Sequence, residues 1–266
     1  MKTKYILLFP LLSVLFPVAA SAQGTVGDLE SSFGARFSVE ADKKLAKGVH
    51  AIVSGEARMT DGIGSPDRYQ AGLELTYKLN NTFKFGVGYL LIEKMNSSGE
   101  WNPRHRFYAD GKVSFRSGDW LFSVKERLQL THREVGNAFQ NTPNSLALKS
   151  RFKVSYKGFG SVTPYAYVEV RNVFNDPACS ATWNTSSLSY SDYVFNGYTD
   201  TYFNRVRGSL GAEWKISPSH TLDFFLLTDY NYDKEIDTNA EGTKLKSLTY
   251  DRGLQIGLGV GYKFSF

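Results

Sequence analysis

The sequence predicts an all-β fold, a transmembrane antiparallel up-and-down β-barrel of ten to twelve strands with twelve favoured. Three observations predict it. Apolar side chains recur at every second residue within segments of about ten residues, which suits a tilted strand that crosses a bilayer. The connections between these segments alternate between short and long. The last segment ends on aromatic residues that alternate along one face.

The first 22 residues have the features of a cleaved secretory signal. Lys2 and Lys4 precede an apolar stretch at 5–18, and Ala20-Ser21-Ala22 supplies a cleavage pattern of small residues. Beyond this signal no apolar run is long enough for a transmembrane helix. We therefore expect export, removal of the signal, and a single barrel domain formed by residues 23–266.

Composition argues against two other classes of protein. Aromatic residues make up 15% of the chain and there is a single cysteine, Cys179, so a disulfide-stabilised secreted domain is not indicated. The formal net charge of +5 is too small to indicate a nucleic-acid partner. A closed barrel needs no disulfide, because its strand ladder pairs the backbone groups.

Alternation is clearest at 69–79, where Tyr69, Leu73 and Tyr77 share one face and Arg68 and Glu74 share the other. The same pattern predicts strands at 33–41, 49–59, 69–79, 83–91, 106–116, 120–131, 146–157, 162–171, 205–216, 222–232 and 254–266. These are eleven segments, whereas bacterial single-chain barrels use even numbers. We therefore expect either a twelfth, short upward strand at 25–30 or a ten-stranded barrel with its N-terminal region unpaired.

Connections of two lengths orient the predicted barrel. Tight turns are expected at 80–82, 117–119, 158–161 and 217–219. Longer polar segments lie at 61–67, 95–103, 133–144, 172–202 and 233–250. In outer-membrane barrels the short turns face the periplasm and the long loops face outward. The segment 172–202 is unusually aromatic, and the sequence leaves open whether it constricts the lumen, caps the barrel or contacts a partner.

Aromatic residues flank the short turns and end the chain. Those beside the turns are Tyr77, Phe83, Phe115, Trp120, Tyr156, Trp214 and Tyr262, which predicts a girdle at the periplasmic interface. Tyr262, Phe264 and Phe266 alternate on one face of the final strand, as in terminal strands that the barrel-insertion machinery recognises. We therefore expect that machinery and outer-membrane lipid as partners.

Glu126 departs from the alternation. It falls between Val124 and Leu128 on the face assigned to lipid, where a charged carboxylate near the bilayer midplane costs about 2–4 kcal/mol or somewhat less. A β-bulge near Lys125 or a position high in the membrane is expected to resolve the conflict.

The inward positions carry many charged side chains with an excess of arginine. The candidate lumen-lining residues are Arg58, Arg106, Arg127, Arg151, Tyr165, Tyr167, Glu169, Arg171, Arg205, Arg207 and Glu213. These groups either pair with one another and fill a narrow interior, or line an anion-leaning pore for a small anionic solute. Arg151, Arg171, Arg205 and Arg207 are the strongest candidates for contact with an anion, since the guanidinium fork binds carboxylate and phosphate. The two tyrosines could stack on a sugar ring.

An outer-membrane enzyme is the competing class. The chain has four histidines, His50, His105, His132 and His220, and only His105 and His132 lie near the outer rim, where Asp110 or Ser123 could approach them. No motif supports a catalytic triad, and no spacing of histidine, cysteine and carboxylate predicts a metal site. We therefore expect neither an enzyme nor a cofactor.

Several stretches together resemble a family of Gram-negative outer-membrane barrels that is defined only as a domain of unknown function. The stretches are 69–79, Arg104-His105-Arg106, Lys125-Glu126-Arg127-Leu128-Gln129, Thr163-Pro164-Tyr165 with Glu169, and 205–214. The resemblance covers nearly the whole mature chain. It implies the barrel fold and an outer-membrane location, and it carries over no catalytic or binding residue.

Overall fold

A computed structural model describes residues 24–96 and 98–266, and the predicted signal at 1–22 lies outside these ranges. The described residues form strands joined by turns and loops. No helix in this part of the chain is long and apolar enough to cross a membrane. The all-β prediction is therefore confirmed.

Eleven of thirteen strands close into one barrel. In chain order the strands are β1 (Thr25–Ala46), β2 (Val49–Thr60), β3 (Ser65–Lys78), β4 (Phe83–Met95), β5 (Trp101–Ser117), β6 (Trp120–Arg133), β7 (Asn144–Tyr156), β8 (Val162–Asp176), β9 (Cys179–Asn184), β10 (Ser189–Phe195), β11 (Asp200–Lys215), β12 (His220–Thr238) and β13 (Leu245–Ser265). Strands β9 and β10 pair only with each other, as a hairpin between β8 and β11. The other strands follow one another around the wall in an up-and-down order.

The barrel closes through one parallel pair. All other neighbouring barrel strands are antiparallel, but β1 and β13 run in the same direction, from Ser31 opposite Leu254 to Asp42 opposite Ser265. Eleven strands lie within the predicted range, whereas the favoured count of twelve is wrong. Residues 25–30 are not a separate upward strand; they continue β1 and extend its pairing with β13. An odd number of strands closes because the first and last then point the same way.

The wall has two different faces, as the alternation predicted. Leu73 and Val168 point outward and are 60% and 51% exposed. Glu169, which follows Val168, points inward and is only 3% exposed. Successive side chains of a strand lie on opposite sides, so an apolar outer surface and a charged interior follow from the same segments.

Short and long connections lie at opposite ends of the barrel. The turns at 47–48, 79–82, 118–119, 157–161 and 216–219 define the turn end, and Gly48 and Gly118 supply positive φ angles of 78° and 59° there. The other connections define the loop end, and the longest of them are 134–143 and 177–199. The predicted loop at 233–250 is instead mostly strand, because β12 and β13 extend well past the neighbouring strands.

Aromatic rings contact one another around the turn end. Phe115 stacks on Phe122 with ring centroids 4.9 Å apart, and Trp120 lies 5.0 Å from Tyr156. Phe264 and Phe266 stack at 5.1 Å. The rings form the belt of amphipathic contacts that the positions of the turns predicted.

The expected bulge beside Glu126 is absent. Strand β6 pairs with β5 and β7 in regular register, with Glu126 opposite Gly111 and Ser150. Glu126 lies near the middle of the strand on the outer face, where the Ser150 hydroxyl donates a hydrogen bond to its carboxylate at 2.6 Å. A neighbouring hydroxyl, and not a change of register, accommodates this acidic side chain.

Candidate functional site: a cation-lined cavity

A polar cavity of about 650 Å³ occupies the loop-end half of the barrel interior. Its lining includes nine arginines and three lysines, against six aspartates and glutamates. The cationic residues are Arg36, Arg58, Arg68, Arg104, Arg106, Arg133, Arg171, Arg205, Arg207, Lys94, Lys149 and Lys234. They come from inward positions of strands all around the wall, so alternation alone concentrates them in one space.

Below the cavity four inward residues on adjacent strands alternate in charge. We call Arg151, Glu169, Arg207 and Asp229, on β7, β8, β11 and β12, the paired row, because each lies directly opposite the next. Arg151 donates to Glu169 at 2.6 Å, and Arg207 donates to Asp229 at 2.5 and 2.7 Å. Glu169 and Asp229 are each only 3% exposed. Burial of these carboxylates is compensated by charge-assisted hydrogen bonds.

Asp229 also binds an arginine from the far side of the closing pair. Arg36 on β1 donates to it at 2.8 Å, although 193 residues separate the two in the chain. Since β13 lies between β1 and β12, this bond braces the parallel closure from inside the barrel.

On each strand, the next inward position toward the loop end is two residues away. Four of these positions in succession carry positive charges. We call Arg127, Lys149, Arg171 and Arg205, on β6, β7, β8 and β11, the like-charge row. Each lies directly opposite the next, an arrangement that destabilises a sheet. The residues at the two ends turn toward carboxylates, Arg127 to Asp110 at 2.5 Å and Arg205 to Glu169 at 2.8 Å.

The two central cations of this row have no such partner. Among the described residues, no carboxylate lies within 4.0 Å of Lys149 or Arg171, and neither side chain donates a hydrogen bond. The Nε of Arg171 is buried and unpartnered. Most buried polar atoms in proteins are hydrogen-bonded, so this group stands out.

Two arginines of β5 extend the set across the cavity. Arg104 has no carboxylate within 4.0 Å in the described part of the chain, and its Nε is also buried without a partner. Arg106 donates from Nε to the Thr131 hydroxyl at 2.9 Å but likewise pairs with no described carboxylate. The charge of Arg106 interacts electrostatically with that of Arg171. We call Arg104, Arg106, Lys149 and Arg171 the unpaired cluster.

The turn-end half of the interior contains polar networks. The Tyr108 hydroxyl donates to Glu74 at 2.7 Å, and the Arg127 guanidinium lies 3.8 Å from the Tyr108 ring centroid. Lys153 donates to Glu213 at 2.7 Å. The expectation of mutual ion pairing therefore describes this half of the barrel, whereas the cavity above it retains unpaired charge.

Tyr165 and Tyr167, the expected sugar-stacking residues, belong to the turn-end half. Their rings are nearly parallel, with centroids 6.3 Å apart and 10° between the planes. The Lys153 ammonium lies 3.7 Å from the Tyr165 ring centroid and the Arg151 guanidinium lies 4.4 Å from that of Tyr167. Protein cations thus already contact both rings.

Loops cover the cavity at its loop end. Gln140 and Asn141, from the connection 134–143, line the cavity directly. Gln140 donates to the Asp237 carboxylate at 2.8 Å and to the Thr238 carbonyl at 3.3 Å. These bonds fix the connection to the extended tip of β12.

The β9–β10 hairpin packs on the extension of β12 and β13. Cys179 at its start is buried together with Ile236, Leu245 and Leu248 of the β12–β13 extension. Lys234 donates to the Pro177 carbonyl at 2.6 Å and also pairs with Asp200. The aromatic segment 172–202 therefore packs on the barrel's own loop-end extension.

The two histidines near the loop end, His105 and His132, lie apart from Asp110 and Ser123, the groups that were expected to approach them. His105 and His132 stand directly opposite each other on the outer face, while Asp110 and Ser123 point inward. His105 is hydrogen-bonded to the Tyr89 hydroxyl at 2.7 Å. Over the described ranges, no group of three or more histidine, cysteine and acidic side chains is placed to hold a metal ion.

The cavity includes five of the predicted lumen residues. These are Arg58, Arg106, Arg171, Arg205 and Arg207. The others, which are Arg127, Arg151, Tyr165, Tyr167, Glu169 and Glu213, are not among its lining residues. The candidate list omitted seven cationic lining residues, which are Arg36, Arg68, Arg104, Arg133, Lys94, Lys149 and Lys234. Arg104 could have been predicted, because it lies two residues before Arg106 on the same strand and therefore faces inward as well.

A family model and a solved structure are similar to this chain. No curated protein sequence matches the chain. A solved structure of the NanC porin, in a rhombohedral crystal form, is similar over 88% of this chain and 97% of that chain, with 15% identity and a TM-score of 0.42. The model of the family described as "protein of unknown function (DUF2490)" matches residues 33–240, which is more than half of the chain. The chain therefore belongs to the DUF2490 family.

Proposed function

We propose that this protein is a bacterial outer-membrane barrel that admits small anionic solutes from its loop end, as a narrow, anion-leaning channel or uptake pore. The apolar outer face and the aromatic belt support a membrane location. The sequence signal supports export. Outer-membrane lipid would then contact the outward side chains, and the loop end would face the outside of the cell.

One observation supports the anion preference most directly, the excess of cations around a single cavity. Twelve lysines and arginines line it with six carboxylates. Positive side chains that surround a confined polar space attract anions and repel cations at short range. Among the described residues Lys149 and Arg171 form no ion pair within 4.0 Å and interact with Glu169 and Asp233 only at longer range, so they remain available to an anion that enters the cavity.

A filled barrel with a structural or surface-interaction role is the second candidate. The polar networks of the turn-end half favour it, since Lys153–Glu213 and Tyr108–Glu74 occupy the interior between the cavity and the turn end. The packed β9–β10 hairpin also favours it, because it offers an aromatic surface at the loop end. An enzyme is the least supported candidate, given the separation of the histidines from Asp110 and Ser123.

Planar-bilayer recording of refolded protein separates the first two candidates. We expect discrete conductance steps whose reversal potential in a salt gradient indicates anion preference, and Arg171→Gln should reduce that preference. Arg116→Gln, which removes an exposed charge at the turn end, should leave the preference unchanged. A silent bilayer would contradict the pore and favour the filled barrel. Recovery of the protein in the outer-membrane fraction of expressing cells tests the location.

A further inference from the structure

We infer that the unpaired cluster is a binding site for a small organic polyanion, a solute that carries at least two carboxylate or phosphate groups. This inference rests on the proposed function, because it takes the solute-admitting cavity as the place where the anion is held. It goes further in assigning saturable binding to four named side chains.

Without a bound anion, the unpaired cluster lowers the stability of the barrel. Lys149 and Arg171 face each other across β7 and β8 as like charges, and Arg205 follows on β11. In the neighbouring row the same strands alternate their charges. Repulsion between directly opposed cations destabilises the sheet unless something neutralises it. Among described residues the central two have no carboxylate within 4.0 Å, and Glu169 and Asp233 act on them only at longer range.

Several arginines around the cavity have unused hydrogen-bond donors. The Nε atoms of Arg68, Arg104, Arg171 and Arg205 are buried and have no hydrogen-bond partner among the described residues, although Arg68 Nε lies 3.9 Å from the Asp67 carboxylate. A guanidinium presents planar N–H groups that match the two oxygens of a carboxylate or a phosphate. An anion that enters the cavity could accept these hydrogen bonds and offset the repulsion at the same time.

The distance between the members of the unpaired cluster determines how many anionic groups a ligand must carry. Lys149 and Arg171 lie on adjacent strands, whereas Arg106 lies on β5, two strands from β7. Through Thr131, Arg106 is level with Ser145, four residues before Lys149 on β7. With strands about 4.8 Å apart and a rise of about 3.3 Å per residue, the backbone positions of Arg106 and Lys149 are about 16 Å apart along the wall. One carboxylate does not span that distance, so a ligand that neutralises both regions carries more than one anionic group.

The volume of the cavity and the residues that cover it also suit a small ligand. A cavity of about 650 Å³ lies within the size range of small-molecule pockets, about 300–1,000 Å³. Gln140 and Asn141 contribute amide groups to its lining. The Gln140 nitrogen already donates to Asp237 and Thr238, so its oxygen is the atom that can accept from a hydroxyl group of the ligand. The paired row below supplies a rigid floor. A small organic polyanion fits the charge, the donors and the volume together.

The test uses the refolded full barrel in detergent, with citrate and pyrophosphate as probes. We expect saturable binding by calorimetry, and a rise in the midpoint of thermal unfolding greater than sodium chloride gives at the same ionic strength. Arg171→Gln and Lys149→Met should each weaken binding at least tenfold. Arg116→Gln serves as the matched control, because it removes the same charge at an exposed site and should leave binding unchanged.

The two probes also separate the two anion chemistries. Binding of citrate alone assigns the site to polycarboxylates, and binding of pyrophosphate alone assigns it to phosphates. The inference is overturned if neither probe binds saturably, if sodium chloride stabilises the barrel equally, or if Arg171→Gln and Lys149→Met bind as the wild type does. Heat-modified migration in gels verifies that each variant is folded.

Failure of this inference is distinguishable from failure of the pore. A silent bilayer together with saturable citrate or pyrophosphate binding would contradict the channel and support the binding site. Anion-selective conductance without saturable binding would support the channel and contradict the binding site.

Discussion

The paired row and the like-charge row share the strands β7, β8 and β11 and lie only two residues apart on each. In the paired row, Glu169 and Asp229 separate the arginines and lie almost fully buried. In the like-charge row, Lys149 and Arg171 adjoin each other without an intervening carboxylate. Backbone and parity are the same, so the difference between the rows lies in the side chains alone.

The contrast shows that one barrel wall can contain a row of charges that pair with each other and a row of charges that are available to a ligand. In the paired row each buried charge is satisfied by the protein, so this row stabilises the barrel and is closed to a ligand. In the like-charge row the donors remain available, at a cost in stability. The two rows therefore predict mutational effects of opposite sign.

The largest effect is expected from breaking the paired row. Glu169→Gln removes the carboxylate that Arg151 and Arg205 share and leaves buried cations uncompensated. We expect the free energy of unfolding to fall by about 3 kcal/mol or more. Urea titration in phospholipid vesicles measures it. Glu134→Gln, at an exposed loop position, is the control and should change stability little. A similar small change for both variants would remove the structural role of the paired row.

The opposite sign is expected from the like-charge row. Arg171→Gln removes the central repulsion with Lys149 and Arg205, and glutamine retains hydrogen-bonding capacity. We expect the ligand-free barrel to gain about 0.2–1 kcal/mol in the free energy of unfolding, measured by the same urea titration. A loss of stability as large as that of Glu169→Gln would show that the cations of this row are structural.

A smaller effect is expected when the like-charge row is given a carboxylate. Asn231 lies directly opposite Arg205, so Asn231→Asp places a negative charge at the end of the row without a change in size. We expect stability to rise by about 0.5 kcal/mol and citrate binding to weaken severalfold. Asn102→Asp, on the exposed start of β5, should alter neither quantity. Unchanged citrate affinity in Asn231→Asp would place the anion elsewhere.

Loosening the cover above the like-charge row is expected to change the accessibility of Cys179 more than it changes stability. Gln140→Ala removes two hydrogen bonds to the tip of β12 and should cost about 1 kcal/mol or less. Burial raises the pKa of the Cys179 thiol, so little thiolate is present near neutral pH and reaction with a maleimide should be slow in the wild type. In Gln140→Ala the labelling rate should increase severalfold. An unchanged rate would mean that the bonds of Gln140 to the tip of β12 do not affect the packing around Cys179.

Individual residues show why the outline of the fold was predictable. Alternation along 69–79 places Leu73 outside and Glu74 inside whatever the partner strand is, because a strand has only two faces. The turns follow from local chemistry, as at Gly118 with its positive φ. The strand count was not predictable, since residues 25–30 continue β1 only because β13 is available beside them.

The candidate site was predictable only in part. Parity assigned Arg171 and Glu169 to the interior, but it did not distinguish the unpaired side chain from the paired one. That distinction depends on register. A shift of one strand by two residues preserves parity and replaces one opposing side chain by another.

The sequence by itself determined the two faces of the wall, the strand segments and the cationic character of the interior, because these depend on local periodicity and composition. Only the tertiary structure decided the parallel closure, the packing of the hairpin and which cations find a carboxylate. Those outcomes depend on which residues from distant parts of the chain stand opposite one another, as Arg36 and Asp229 do across 193 residues.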